Sequence, residues 1–423
     1  MNDVLNFSIE KPSPCGNLKI CFITMIFPAS SETFACNDAR MLRTLGADLT
    51  VHTMRCAQHD KSRLLAEREL TDLSITHATF TTGLQGLWVA LTRPSLFGML
   101  LSFILCHCRT RLVHLFKSIL LIPRTLQIFS LIEKECPDII HLYWGHYPSL
   151  VAYLVQQKLP SVVTSISLSA YDLLAEYGGS GAVARRADVV TTWARTNLGT
   201  IERLDVPKDR ILLAYQGLDL DRFREHVTQK IRHRIITVGR LVPEKGMADV
   251  LKVFQQVRAQ WPDAILVVVG DGTDRARLEA MVEAMGLQQA VHFKGSLPQA
   301  QVFEEMAAAE VFLFMSTASY ERLPNVVKEA IASRCFCVVT ETPGIEELLQ
   351  DGKHGYVVPP GAFATAAERI NDIFASPASF TKMLDEAYAH VFTHFDLRSL
   401  IEGLLHRWQA AVAAKKDVQK HRR

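Results

Sequence analysis

The chain is short of several features that would define it quickly. Its nine cysteines are an odd number and contain no Cys-x-x-Cys pair, which excludes a disulfide framework or a zinc ribbon as the organising device. Cys106/Cys108 and Cys335/Cys337 have one residue between them, poor spacing for a structural metal, so the cysteines read as reduced core residues of a cytosolic protein. The first twenty residues hold no apolar stretch before a small-residue cleavage site, and no secretory signal is expected. The most apolar run, Ser95–Cys106, is about half of the ~20 residues that a spanning helix needs. That predicts a chain that is soluble or held on a membrane face, not inserted through it. The formal net charge is only +2, against a general nucleic-acid binder. Acid is missing from one long stretch. Between Leu73 and Ile132 there is no Asp or Glu, yet Arg93, Arg109, Arg111, Lys117 and Arg124 all lie there.

What is present is apolar and periodic. The 423 residues are 48% hydrophobic, enough for two cores. Buried strands alternate with helical patterns, as in parallel sheets covered on both faces. The first series runs through Leu18–Met25, Leu49–Thr53, Asp138–Leu142, Ser161–Ile166, Asp188–Thr192 and Ile211–Tyr215. Ser30 or Ser31 is a fitting N-cap for the first helix. A second series starts at Ile235–Val238 and continues through Ala264–Val269 and Val291–Phe293. The polar stretch 224–232 is the linker candidate between them. The expected fold is α/β, with two doubly wound Rossmann-like domains facing a cleft: 1–226, 227–394, and a returning helix and basic tail over 395–423. Ligands of such sheets sit at the carboxyl ends of strands.

The sharpest chemistry lies in the second series. Val238–Gly246 reads VGRLVPEKG. A strand ends at Gly239, and Arg240 and Lys245 bracket a short loop before a helix, a site for a diphosphate. The plain structural reading is a solvated loop with a lysine at a helix start. Glu321–Ala330 reads ERLPNVVKEA, with Pro324 at the helix start, where its missing N–H costs nothing. Glu321 and Glu329 can each accept hydrogen bonds from paired hydroxyls, one from a transferred sugar and the other from a ribose. Their plain reading is two surface glutamates. Gly270-Asp-Gly272 follows a strand, but the third position of a dinucleotide fingerprint is Arg275, so G-x-G-x-x-G fails.

Taken with TETPGIEEL (340–348) and DGKHGYVV (351–358), this ordered series resembles the donor half of the family-four glycosyltransferases with the GT-B fold. The resemblance covers about 234–359. It implies that Arg240 and Lys245 hold the phosphates, that Glu321 and Glu329 are the paired glutamates, and that Asn325 and Val326 start the phosphate-facing helix. Gly239, Gly270 and Gly272 fall on the family's donor-side turns. More weakly, PASSETF, DIIHLYWG, SAYDL and YQGLDLDRF resemble a subgroup that builds bacterial exopolysaccharides of the colanic-acid type. There are departures. The glycine-rich first turn is Ala29–Ser30–Ser31, Arg322 stands at a usual glycine, and the histidine before the A-Y-D triplet is Ser169. Ser31, His146, Ser169 and Asp172 are the candidate cleft residues of the first domain. His141 and His146 are five apart across a strand end, unlike a helical zinc pair.

The resemblance implies a retaining transfer from a nucleotide diphosphate sugar, UDP- or GDP-linked, to a glycan or lipid-linked acceptor in exopolysaccharide or envelope synthesis. It implies no metal and no other cofactor. The location is expected to be cytoplasmic, with attachment to the inner face of the plasma membrane. Leu96, Phe97, Leu100, Leu101 and Ile104 fall near helical spacing within the acid-free stretch, a candidate face for an anionic membrane, with Lys415, Lys416, Lys420, Arg422 and Arg423 as added cations. The plain reading of those apolar residues is a core helix. A non-catalytic scaffold that keeps the sugar-nucleotide fold is the competing class.

Overall fold

The computed structural model describes residues 18–29, 33–109, 111–224 and 229–421. Ser31, with Ser30, lies outside the described residues. The chain divides into two units, one of 1–193, 197–215 and 397–423, the other of 194–196 and 216–396.

The first unit opens with β1 (Lys19–Thr24), α1 (Thr33–Thr44), β2 (Asp48–Thr53), α2 (Lys61–Glu67) and β3 (Ser74–Thr76). Four helices follow without a strand between them: α3 (Phe80–Thr92), α4 (Pro94–His107), α5 (Leu112–Leu120) and α6 (Ile122–Glu135). Then come β4 (Ile139–Leu142), α7 (Ser149–Lys158), β5 (Val163–Ser167), α8 (Ala170–Ala175) and α9 (Gly178–Ala184). β6 (Val189–Thr192), α10 (Leu198–Glu202) and β7 (Ile211–Leu213) complete the sheet. All seven strands are parallel, in the order β3-β2-β1-β4-β5-β6-β7. Alternate residues of β1 feed different cores. Cys21 and Ile23 pack among residues of α3, α4, α6 and α7, whereas Ile20 and Phe22 pack with those of α1 and the chain's last helix. Burial on both faces explains the unbroken apolar run that marks this strand.

The second unit holds α11 (Asp221–Arg224), β8 (Ile231–Val238), α12 (Met247–Gln260), β9 (Ile265–Val269), α13 (Arg275–Ala284) and β10 (Val291–Gly295). It continues through α14 (Gln299–Ala307), β11 (Ala309–Phe314), α15 (Asn325–Ala332), β12 (Phe336–Thr340) and β13 (Tyr356–Val358). α16 (Phe363–Ala375) and α17 (Thr381–His394) close it, and α18 (Leu397–Lys420) follows. The six strands are parallel, in the order β10-β9-β8-β11-β12-β13.

The division falls earlier than 226/227. From Gln216 onward the chain packs with the second unit. Leu218 N–H donates to Phe395 O at 2.8 Å, and Phe223 lies 4.3 Å from the Phe303 ring. The expected linker is partly strand, because β8 begins at Ile231, and residues 225–228 lie outside the described set. The helix assigned to a separate tail, α18, is a component of the first unit. Its fully buried Trp408 donates an indole N–H to Ser165 Oγ at 2.9 Å, and Lys415 pairs with Asp188 at 2.8 Å.

The apolar face assigned to a membrane at Leu96, Leu100 and Ile104 is buried core of α4. The core-helix reading holds for these residues. Apolar positions almost encircle α4, so their spacing could not tell a protein-facing side from an outward one.

Candidate active site

Each sheet reverses its direction of growth once. In the second unit the strands after β8 run one way and β11 starts the other, so the crevice beyond the carboxyl ends of β8 and β11 is the switch point where doubly wound sheets hold ligands. Three loops meet there. Leu241 N–H donates to Asp271 O at 3.0 Å, Asp274 N–H donates back to Leu241 O at 2.9 Å, and Thr317 N–H donates to Glu244 O at 3.1 Å. Glycine allows this close approach. Gly246 has φ +69°, and a Cβ there would lie 1.8 Å from Met315 O. Gly270 has φ +132°, and its Cβ would lie 1.9 Å from Gly239 O. A Cβ on Gly272 would lie 2.3 Å from Leu241 O. Gly239, Gly270 and Gly272 therefore belong to one backbone cradle, and any side chain at 270 would push it apart.

Lys245 and Glu321, 76 residues apart in sequence, form an ion pair in this crevice, with side chains 15% and 11% exposed. The Lys245 ammonium also lies 5.7 Å from the Tyr320 ring centroid. Burial, reinforced by Glu244, pushes the Tyr320 hydroxyl above its ordinary pKa. Arg240 is exposed on the loop after β8; its carbonyl accepts Val242 N–H at 3.0 Å, and its guanidinium makes no hydrogen bond or ion pair among the described residues. The cluster thus holds one free cation and one cation paired to a carboxylate.

α15 begins at Asn325 behind Pro324, with no side-chain cap on its first turn, and Val326 is the second residue of that turn. Uncapped N–H groups and the helix dipole make such a start attractive to an anion. The Asn325 side chain is engaged with neighbours. Its Nδ2 donates to Gln216 Oε1 at 3.2 Å, and its Oδ1 accepts from Lys328 Nζ at 2.9 Å. Lys328 is fully buried, donates to Gln216 O at 2.8 Å and lies 4.9 Å from the Phe395 ring centroid. The sequence reading passed over this lysine. Its one signal is a charge among the buried positions of VVKEAIA. Glu329, one residue on, is half-buried, and burial lifts its carboxyl to about 7 against opposing pulls from Lys328 and Gln299. It is not the surface glutamate of the plain reading.

In the first unit the switch point lies between β1 and β4. Asp172, with a wholly buried side chain, is the hub of the loops after β4 and β5. It accepts from Gly145 N–H at 3.0 Å, His146 Nδ1 at 2.9 Å, Ser169 N–H at 3.0 Å and Ser169 Oγ at 2.8 Å. The Ser169 hydroxyl accepts Asp172 N–H at 3.3 Å in return, a capping box at the start of α8. Ser169 is 4% exposed, so its hydroxyl is committed to the cap. The acid fixes the His146 tautomer, because only an N–H at Nδ1 can satisfy that carboxylate, and the structure brings His146, Ser169 and Asp172 together. His141 is separate. It lies buried between the Ser165 and Ser167 hydroxyls, and burial drops its pKa to about 3. Beside the hub, Phe34, Tyr143, Trp144 and Trp193 form an aromatic cluster, with Tyr171 exposed at its edge.

Comparison with known proteins fits this geometry. Residues 221–390 match the model of the glycosyl transferases group 1 family. The chain is 23% identical over 378 residues to the putative colanic acid biosynthesis glycosyltransferase WcaL of Salmonella typhimurium, covering 84% of this chain and 90% of the relative. It is 22% identical over 398 residues to the amylovoran biosynthesis glycosyltransferase AmsK of Erwinia amylovora, covering 90% and 96%. Among solved structures, HepE of Anabaena in complex with UDP-glucose superposes with a TM-score of 0.68 at 17% identity, over 93% of this chain and all of that one. Residues 221–390 thus form a glycosyl transferases group 1 domain, and with its two doubly wound sheets the chain is a glycosyltransferase with the GT-B fold.

Proposed function

We propose that the chain transfers a glycosyl group, with retention at the anomeric carbon, from a UDP- or GDP-sugar to a hydroxyl of a lipid-linked glycan in exopolysaccharide synthesis. The observation that carries this reading is the Lys245–Glu321 pair in the β8/β11 crevice, beside exposed Arg240 and the uncapped start of α15. In transfer, the bond from the anomeric carbon to the diphosphate breaks and its electron pair leaves with the phosphate. The sugar ring turns cationic, and the acceptor oxygen bonds to that carbon on the face the diphosphate left while its proton passes to the departing phosphate oxygen. Lys245, Arg240 and the Asn325–Val326 N–H groups would hold the leaving charge, the role that fixed donors fill most strongly in catalysis. Glu321 would then exchange its lysine for sugar hydroxyls, and Glu329 would accept from the ribose. No metal is required in this scheme, because the leaving charge has protein cations and N–H groups to meet it. Relatives named for colanic acid and amylovoran synthesis support the pathway class, and a neighbour solved with UDP-glucose supports the donor class. A cytoplasmic location is part of the same proposal.

Turnover of radiolabelled UDP- and GDP-sugars with lipid extract in EDTA is the direct test. Donor-dependent labelling of lipid that Lys245→Ala abolishes supports the reading. Binding of UDP or GDP with no labelling of any extract would instead favour a scaffold that keeps the fold.

A further inference from the structure

The acid-free stretch carries a second feature that sugar transfer does not use. α3 is thirteen residues long and amphipathic in an unusual sense. Phe80, Leu84, Leu87, Trp88 and Leu91 recur at one helical face, and all are exposed, Trp88 at 67% and Leu91 at 81%. The helix is not loosely placed. A capping box at Thr79 fixes its start, and its opposite side meets α6 so closely that a Cβ on Gly86 would lie 1.8 Å from Pro123 O. α5, packed on the same α6, repeats the pattern with Leu112, Val113, Phe116 and Leu120, each at least 60% exposed. Apolar surface held outward by well-packed helices marks an interaction site.

We infer that the outward faces of α3 and α5 dock this chain on the surface of an anionic lipid bilayer. The charge around them selects that occupant. Arg109 and Lys117 are exposed on or beside α5, Arg111 is exposed there but pairs with Glu176 at 3.0 Å, and no acid lies between Leu73 and Ile132. A second copy of the chain would bring the same cationic rim against itself across a two-fold axis, whereas anionic headgroups complement it. α3 is too short to cross by itself. Thirteen residues of helix extend roughly 20 Å against a hydrocarbon core of about 30 Å, and among the described residues no single helix is long and apolar enough to span. α3 and α4 meet at 103°, with Pro94 opening α4 at the bend. α3 therefore lies in the interface, its aromatic and leucine side chains reaching the acyl boundary.

Flotation of the purified full chain tests this. Vesicles of phosphatidylcholine with phosphatidylglycerol are expected to carry most of the protein upward at low salt. Pure phosphatidylcholine or high salt should carry at least about threefold less. Leu84→Ser/Trp88→Ser/Leu91→Ser should lower flotation about tenfold, and Arg109→Glu/Lys117→Glu should remove the preference for anionic vesicles. All five positions are exposed, and unchanged far-ultraviolet dichroism and melting temperature would establish that both variants fold. Wild-type protein that stays with the lipid-free fraction, or variants that float as well as wild type, would overturn the inference. So would a dimer in vesicle-free sedimentation that the triple variant converts to monomer, which would assign the face to a second copy.

Discussion

The Lys245 ammonium is paired with the Glu321 carboxylate, so an ion pair joins the loop after β8 to the loop after β11. A partly buried pair that must open for a ligand links binding to chemistry. Lys245→Ala is expected to lower kcat roughly 100-fold or more, as losing one donor to a developing charge does. Glu321→Gln frees the lysine, so affinity for UDP or GDP alone should hold or rise while turnover falls. Equal losses of nucleotide affinity and turnover in Glu321→Gln would refute this division of roles.

With Glu329 as the proposed ribose partner, nucleotide binding is expected to depend on pH. The folded-state pKa of Glu329 is raised to about 7 from the ordinary 4.5 by burial, so between these values the folded chain keeps a proton that the unfolded chain has lost. Stability from this group is therefore full below about 4.5, declines as pH rises through the window, and levels off above 7. Ribose hydroxyls donating to the carboxylate favour its charged form, and nucleotide binding near pH 6.5 should release up to one proton. Titration calorimetry in two buffers of different ionisation enthalpy reads this directly, and Glu329→Gln should remove the buffer dependence.

Ser169 sits in a cap rather than in open space. Ser169→Ala should cost about 1 kcal/mol, the usual worth of an N-cap hydroxyl, visible as a lower melting temperature with wild-type donor preference. Ser169→His forces an imidazole into a buried position and breaks the cap, so it should destabilise the first unit by more than the alanine does. A histidine variant as stable as wild type, with a changed ratio of kcat/KM among donors, would instead give position 169 a role in donor specificity.

Two glycine substitutions separate cradle from helix. Gly270→Ala places a Cβ against Gly239 O in a left-handed backbone and should lower stability by several kcal/mol, on the order of a severe core substitution. Gly98→Ala on the exposed side of α4 meets nothing within 4 Å and should raise stability by roughly 0.5–1 kcal/mol, because alanine favours a helix interior over glycine. Chemical denaturation of both variants checks the pair.

The strands of both sheets were legible because burial on two faces leaves continuous apolar runs such as KICFIT and ILVVV. The glycine cradle and Pro324 at the start of α15 were legible for a related reason, since backbone geometry restricts which residues can stand there. Less could be read where side chains choose among partners. Four helices between β3 and β4 were hidden because their apolar residues point both inward and outward, and hydrophobicity alone does not tell core from exposed face. The lysine–glutamate pair spans 76 positions, and only the parallel order of β8 and β11 brings it together. The Ser169 cap was legible in the sequence, with Asp172 three residues on marking the turn, whereas the burial of Asp172 has no local signal.

The position of Trp408 has a consequence for how the protein is made. The N-terminal sheet emerges first from the ribosome, yet one face of it is covered by α18, which follows the whole second unit in the chain. Ile20, Phe22 and Leu42 have only part of their packing, from α1 and neighbouring strands, until residues near 408 have been synthesised. The half of the protein that is translated first is thus the half that is finished last. In the interval its apolar sheet face is a natural client for chaperones.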